Sequence, residues 1–228
     1  MRADDAESAA ALAAAVIAAA CREAIAERGL AAIALSGGET PWRMLEKLRT
    51  LTLPWSSVLV AQVDERIAPH DDASRNLTRM ERILVAEGPL PSANLLAMPV
   101  EDPDTEAACA GYQQRLESLV GRPPVLDLVQ LGLGTDGHTA SLVPGDPVLE
   151  IRDRDIAVTG LYHGQRRMTL TLPALARART RLWLVTGAAK SARLGELLDG
   201  NGDIPALRLP RERTDVVADA AALGTRPA

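Results

Sequence analysis

Cysteine, histidine, lysine and aromatic residues are all scarce in this sequence. The two cysteines, Cys21 and Cys109, lie far apart in alanine-rich segments, so no disulfide framework is indicated and each is predicted to be a small buried apolar residue. The three histidines, His70, His138 and His163, show none of the spacings that metal ligands usually have. We therefore predict that the protein binds no metal.

A strong excess of charge is also missing. The 30 acidic and 25 basic residues give a formal net charge of -5, without the basic patch that nucleic acid or an anionic membrane would require. The most apolar segment, residues 9–21, follows Asp4, Asp5 and Glu7, where a secretory signal would be positive, and Gly29 ends it. We interpret it as a surface or core helix and expect a cytoplasmic monomer or homodimer with no nucleic-acid or membrane partner.

Short apolar segments alternate with helical patterns along the whole chain, and no linker divides it. The predicted strands are residues 31–35, 58–63, 94–98, 126–132, 156–161, 168–172 and 181–186. The predicted helices begin after Asp4 or Asp5, at Pro41, after Ser74, at about Thr105 and at Ala188. This order predicts one α/β domain over residues 1–228, with a mostly parallel sheet that helices cover on both faces.

Glycine-rich or charged loops follow several of the predicted strands, and ligands of such sheets bind at these strand ends. In the first loop, Ser36, Gly37, Gly38 and Thr40 would present N–H groups and hydroxyls at a helix N-terminus, which favours a phosphate. The alternative is a tight turn in which the glycines serve packing alone. Because the loop matches neither nucleotide-binding glycine pattern, a small phosphate ester is the better candidate ligand.

Cationic side chains that could hold an anion occur at several strand ends. Arg66 ends a charged loop that follows a strand, and by itself that loop would be interpreted as solvated. Arg66 could nevertheless present a fixed charged fork to a phosphate or to a developing oxyanion. Arg167 precedes a strand, and Lys190 and Arg193 lie one turn apart at the start of a helix. Each of these could equally be a surface charge.

His138 is the strongest candidate for a catalytic base. It follows a glycine-rich loop at the end of a buried strand, and Asp136, two residues earlier, could orient its imidazole or hold a substrate hydroxyl. Ser141, three residues later, does not lie in the GxSxG pattern of serine esterases, so a serine nucleophile is not indicated.

Taken in order, these segments resemble the 6-phosphogluconolactonase family over almost the whole chain. The matching positions are residues 35–38, 40–41, 55–66, 76, 127–142, 167–173, the helix that carries Lys190, and 219–221. The resemblance implies a doubly wound α/β fold, no cofactor, and hydrolysis of 6-phospho-D-glucono-1,5-lactone in the pentose phosphate pathway. It implies His138 as the catalytic base, with Arg66, Arg167, Lys190 and Arg193 around the sugar phosphate lactone. We predict that Asp136 and Arg66 assist catalysis and that Ser36, Gly37, Gly38, Thr40 and Asn76 also bind the substrate.

Two other functions stay open from the sequence. A related glucosamine-6-phosphate deaminase would have Tyr after the Asp-Glu pair and Glu a few residues after the Asp-Gly-His loop, where this chain has Arg66 and Val143. A non-enzymatic sugar-phosphate sensor would usually carry an N-terminal DNA-binding domain, where this chain has a single helix with acidic residues before it.

Overall fold

A parallel sheet of seven strands runs through the centre of the structure, a computed structural model that describes residues 1–225. The last three residues of the domain predicted over 1–228 lie outside the described part. The strands of the chain are β1 (Arg2–Ala3), β2 (Ala31–Leu35), β3 (Val58–Gln62), β4 (Asp64–Arg66), β5 (Leu95–Leu96), β6 (Leu128–Leu131), β7 (Ile156–Val158), β8 (Arg167–Leu170), β9 (Thr180–Val185) and β10 (Thr214–Asp219).

The large sheet has the strand order β1-β10-β9-β6-β2-β3-β5, and every neighbouring pair in it is parallel. A second sheet of three strands, β4-β8-β7, is antiparallel. The predicted α/β class with a mostly parallel sheet is therefore confirmed, and the structure adds the small sheet, which the sequence pattern did not separate from the large one.

Helices cover both faces of the large sheet. They are α1 (Ala6–Arg28), α2 (Glu39–Leu48), α3 (Asn76–Met80), α4 (Thr105–Val120), α5 (Leu172–Arg177), α6 (Ser191–Asp199) and α7 (Ala220–Leu223). Side chains of β2 alternate between the two resulting cores: Ile33 and Leu35 pack in the core beneath α1, α2 and α3, while Ala32 and Ala34 belong to the opposite core. The sheet is thus doubly wound, as the resemblance implied.

The alanine-rich helix α1 is long and apolar enough to cross a membrane by length and composition alone. In the structure it packs on α2 and on β2 and β10, with a buried face that includes Ala10, Ile17 and Cys21. The Asp5 side chain caps the helix by accepting a hydrogen bond from the Ser8 N–H, and Gly29 ends the helix in a left-handed conformation. These are the caps that the sequence predicted, and α1 is a core helix.

Candidate active site

An open cleft of about 560 Å³ lies at the carboxyl ends of the central parallel strands. It brings together most of the predicted site residues, namely Ser36, Gly37, Gly38, Thr40, Arg66, Asn76, His138, Arg167 and Lys190. Asp136 contacts His138 beside the cleft, whereas Arg193 is not among the lining residues. The loops that the sequence singled out at separate strand ends therefore converge on one rim.

His138 and Asp136 form a hydrogen-bonded pair. His138 Nδ1 lies 2.6 Å from Asp136 Oδ1, and the His138 backbone N–H donates to the same oxygen at 3.1 Å. Partial burial alone would raise the pKa of Asp136, but the hydrogen bonds and charge of His138, with a hydrogen bond from Tyr162, lower it to about 2. At neutral pH Asp136 is consequently a carboxylate and can only accept hydrogen bonds.

This ionisation state determines where the imidazole proton lies. Because the carboxylate has no proton to give, His138 Nδ1 must donate, and the neutral ring then has an unprotonated Nε2. A neutral imidazole with its Nε2 lone pair free is the form that can take a proton from water. The pair is therefore arranged for general-base chemistry in the cleft that His138 lines.

A tight turn of the chain brings the pair together. The Gly134 N–H donates to the His138 carbonyl at 2.8 Å, and the Gly137 N–H donates to the Gly134 carbonyl at 3.1 Å. Gly137 has φ +89°, a left-handed conformation that favours glycine. Gly134 has no room for a side chain, because a Cβ there would lie 2.1 Å from His138 Nδ1. Gly134 is thus required by the close approach of His138 and Asp136, and Gly137 by its own backbone conformation.

Tyr162 also belongs to the site, although the sequence analysis did not single it out. Its hydroxyl donates to Asp136 Oδ2 at 2.9 Å and lies 3.3 Å from His138 Nδ1. Burial and the nearby Asp136 carboxylate raise the pKa of Tyr162, so the hydroxyl keeps its proton. A separation of 24 residues from His138 leaves no local pattern that could have predicted the contact.

Two arginines occupy directly opposite positions in the small sheet. Arg66 on β4 pairs with Arg167 on β8 in the antiparallel register. Arg66 Nη1 donates to the Ser74 carbonyl at 3.0 Å and to the Asn76 side chain. Burial, aided by the charge of Arg66, lowers the pKa of Arg167, while Asp64 acts in the opposite direction. Like charges at opposed positions are unfavourable by themselves, so the arrangement suits an anionic ligand.

The glycine loop after β2 serves packing and also exposes a helix N-terminus. The Ser36 hydroxyl donates to the Gln130 carbonyl at 2.9 Å, which ties the loop to β6. A Cβ at Gly37 would lie 1.9 Å from Asn76 Oδ1, so packing alone requires a glycine there. Among residues 1–225, no side chain caps the first turn of α2, and the Thr40 hydroxyl lies 2.6 Å from that of Thr186 across the cleft. The packing interpretation of this loop is thus confirmed at Gly37, and phosphate binding stays a prediction.

The two predicted cations on the helix after β9 differ in their surroundings. Lys190 lines the cleft, where burial lowers its pKa and the charge of Asp136 partly opposes the effect. Arg193 instead forms an ion pair with Glu196 at 2.5 Å and donates from Nε to the Thr135 carbonyl at 3.3 Å. Arg193 therefore supports the loop that carries His138, and its contact with substrate stays a prediction.

The acidic residues next to Arg66 are buried, so the interpretation of this segment as a solvated loop is wrong. Glu65 is fully buried and accepts hydrogen bonds at 2.8 Å from the backbone N–H groups of Asn76 and Leu77, which satisfies the start of α3. Asp64 Oδ2 accepts a hydrogen bond from the Ser141 hydroxyl at 2.6 Å. Strand β4 lies directly beside the core, so its two buried carboxylates need these hydrogen-bond partners.

Asp219, at the end of β10, is a further cleft residue that the sequence analysis did not assign to the site. Its carboxylate accepts the Gly187 N–H at 3.0 Å and the Ala222 N–H at 2.7 Å, which positions the loop before Lys190.

Within residues 1–225, no group of three or more His, Cys, Asp or Glu side chains could hold a metal ion.

Comparison with known proteins places the chain among sugar-phosphate enzymes. Residues 4–218 match the family described as glucosamine-6-phosphate isomerases/6-phosphogluconolactonase. A 6-phosphogluconolactonase of Synechocystis sp. is 41% identical over 187 residues, which cover 79% of this chain and 77% of that protein. The crystal structure of 6-phosphogluconolactonase from Thermotoga maritima has a TM-score of 0.84 at 27% identity, covering 96% of this chain and 97% of that one. A monomeric glucosamine-6-phosphate deaminase also shares the fold, with a TM-score of 0.85 at 21% identity and 99% of each chain covered.

Proposed function

The chain belongs to the glucosamine-6-phosphate isomerases/6-phosphogluconolactonase family, and we propose that it opens its lactone substrate with His138 as the general base. Its activity is that of a 6-phosphogluconolactonase, a hydrolase of the pentose phosphate pathway. The substrate is 6-phospho-D-glucono-1,5-lactone, and the product is 6-phosphogluconate. The single observation that supports the base is the 2.6 Å contact between His138 Nδ1 and an ionised Asp136.

The reaction begins with attack of a water molecule on C1 of the lactone. As the water oxygen bonds to C1, its proton passes to His138 Nε2, and the carbonyl oxygen becomes an oxyanion. The bond between C1 and the ring oxygen then breaks, and the imidazolium returns the proton to that oxygen, which leaves as a hydroxyl of the open chain. The new carboxylic acid releases its proton to solvent. One base thus serves both steps.

Asp136 contributes by fixing the imidazole and by stabilising the imidazolium that forms after the first step. The cations of the cleft serve the negative charges of the substrate. Arg66 and Arg167 form one cationic group on the small sheet, and Lys190 forms a second beside the strand β9. One group would bind the phosphate and the other the developing oxyanion, a division of roles that substitution can test.

We assign Lys190 to the phosphate. Lys190→Ala is then expected chiefly to raise KM, because a phosphate far from the reacting carbon is bound similarly in the ground state and in the transition state. Steady-state kinetics with 6-phosphogluconolactone would measure the effect. Unphosphorylated gluconolactone is the control substrate, and with it the substitution should matter little. A loss confined to kcat would instead place Lys190 at the lactone carbonyl.

Treatment with a chelator should leave turnover unchanged. The proposed mechanism draws the nucleophile from water and the base from an imidazole that is engaged with Asp136 through Nδ1. The prediction is checked by measuring kcat before and after exhaustive dialysis against EDTA. Loss of activity that added zinc or magnesium restores would contradict the metal-free mechanism.

A further inference from the structure

We propose that Tyr162 is a positioning residue of the reaction, whose hydroxyl holds the Asp136 carboxylate and, through it, the His138 imidazole in the orientation that proton transfer requires. The inference rests on the proposed role of His138 as the base. It assigns a function to a side chain that the motifs of the sequence did not include.

The hydroxyl of Tyr162 completes the hydrogen bonding of Asp136. One carboxylate oxygen, Oδ1, accepts from His138 Nδ1 at 2.6 Å and from the His138 backbone N–H at 3.1 Å. The other oxygen, Oδ2, accepts from the Tyr162 hydroxyl at 2.9 Å. A carboxylate held at both oxygens cannot rotate freely, so the line along which it accepts the imidazole N–H is fixed.

The ring of Tyr162 restricts the imidazole from a second direction. Its centroid lies 5.4 Å from that of His138, with an angle of 65° between the ring planes. The Arg167 guanidinium lies 5.0 Å from the centre of the tyrosine ring. Tyr162 therefore contacts both the proposed base and one of the cations of the cleft.

The backbone holds Tyr162 in this place through a tight hairpin. Tyr162 and Gln165 exchange hydrogen bonds between their backbone groups at 3.0 and 3.2 Å. Between them His163 has φ 50° and Gly164 has φ 77°, the pair of left-handed conformations that a two-residue type I′ turn uses. Leu161 beside it is 75% exposed, while Tyr162 is turned inward and half-buried. Through Tyr162, the hairpin tip thus reaches the loop of residues 132–138, which carries Asp136 and His138 and is called the catalytic loop below.

Tyr162→Phe removes the hydroxyl and retains the ring that contacts His138 and Arg167. The carboxylate of Asp136 then loses one of its donors, which leaves it less well oriented and leaves more of its negative charge acting on His138. The first effect lowers kcat, and the second stabilises the imidazolium, so the acid limb of kcat against pH should move to higher pH.

The other charged groups near the pair are unchanged by this substitution. Lys190 lies within electrostatic reach of Asp136, Arg167 faces the tyrosine ring, and Arg193 donates to the Thr135 carbonyl of the same loop. The ring of His163, whose centroid lies 4.1 Å from that of Tyr162, also stays in place. A displaced acid limb in Tyr162→Phe would consequently report on the lost hydroxyl.

The test is a double-mutant cycle of Tyr162→Phe and His138→Asn, measured as kcat, KM and the acid limb with 6-phosphogluconolactone. We expect Tyr162→Phe to lower kcat roughly tenfold, the factor typical of a hydrogen bond to a charged group, with KM nearly unchanged. In the His138→Asn background it should cause no further loss, since the hydroxyl acts through the imidazole.

Tyr112→Phe is the matched control, because its buried hydroxyl donates to the Leu96 carbonyl at 2.9 Å and Tyr112 does not line the described cleft. It should change thermal stability without changing kcat. The role of Tyr162 would be refuted if Tyr162→Phe left kcat and the acid limb unaltered, or if it lowered kcat equally in the unmodified enzyme and in His138→Asn. Neither outcome would bear on His138 as the base. An active His138→Asn would refute the base itself, and with it the positioning role.

Discussion

His138→Asn is expected to lower kcat for 6-phosphogluconolactone by roughly 10²- to 10⁴-fold, the usual contribution of general-base catalysis. Asparagine keeps an N–H donor that can reach Asp136, but it has no counterpart of the Nε2 lone pair. KM should therefore move little, because the cations of the cleft that bind the substrate are unchanged. The acid limb of kcat against pH, which imidazole protonation sets, should vanish as well.

The control for this substitution is His70→Asn. The His70 side chain is largely exposed and contacts only its neighbour Asp71, at 3.4 Å, among the described hydrogen bonds and ion pairs. It should retain the kcat and the pH profile of the unmodified enzyme. If His138→Asn kept most of its kcat and the same acid limb, His138 would be structural, and Asp64, which lines the cleft, would become the candidate base.

Gly134→Ala is expected to lower kcat by about 10²-fold or more, although the substitution adds a single methyl group. The new Cβ would lie 2.1 Å from His138 Nδ1 and 2.4 Å from Asp136 Oδ1, so both catalytic side chains must move. A misplacement of about 1 Å in a catalytic group can cost this factor. Because the proposed mechanism assigns proton transfer to the displaced groups, the loss should appear mainly in kcat.

Gly111→Ala, measured in parallel, separates this effect from a general cost of replacing glycine. Gly111 lies in the helix α4, and a Cβ there would meet no atom within 4 Å. Alanine is the better helix former, so this variant should be fully active and at least as stable. A Gly134→Ala enzyme with normal kcat would show that the turn can relax and that the geometry of the pair tolerates displacement.

The sequence predicted those parts of the structure that depend on local patterns. Helix α1 begins at an aspartate cap and ends at Gly29, and β2 is an unbroken apolar segment buried on both sides. Because parallel strands end at a common edge, the loops after β2, β6 and β9 could be placed on one rim without knowing the strand order. Position in the sequence was therefore sufficient to bring His138 and Lys190 into one cleft.

The features that the sequence did not predict depend on contacts between distant segments. Strand β10 begins with Thr214 and Asp215, which interrupt the apolar pattern, and it gains its pairing from β9. Strand β4 has only three charged residues, and burial of Glu65 becomes favourable because backbone N–H groups of α3 satisfy its carboxylate. Such strands are specified by tertiary partners, which periodicity does not reveal.

The contacts of individual site residues also cannot be predicted from their spacing in the sequence alone. Helical spacing places Arg193 on the same side as Lys190, yet Glu196, three residues further on, engages its guanidinium at 2.5 Å. Tyr162 reaches Asp136 only because the hairpin after β7 folds over the catalytic loop. Motifs can identify the candidate base and the candidate cations, whereas a residue such as Tyr162 is found only from the assembled structure.

The most direct test of the account is a parallel assay of the purified protein with freshly prepared 6-phosphogluconolactone and with glucosamine 6-phosphate. Lactone opening releases a proton, whereas deamination releases ammonia, so the two activities have separate signals. We predict proton release well above the spontaneous rate, its loss in His138→Asn, and no ammonia. Ammonia from glucosamine 6-phosphate, with lactone opening no faster than in buffer, would contradict the assignment.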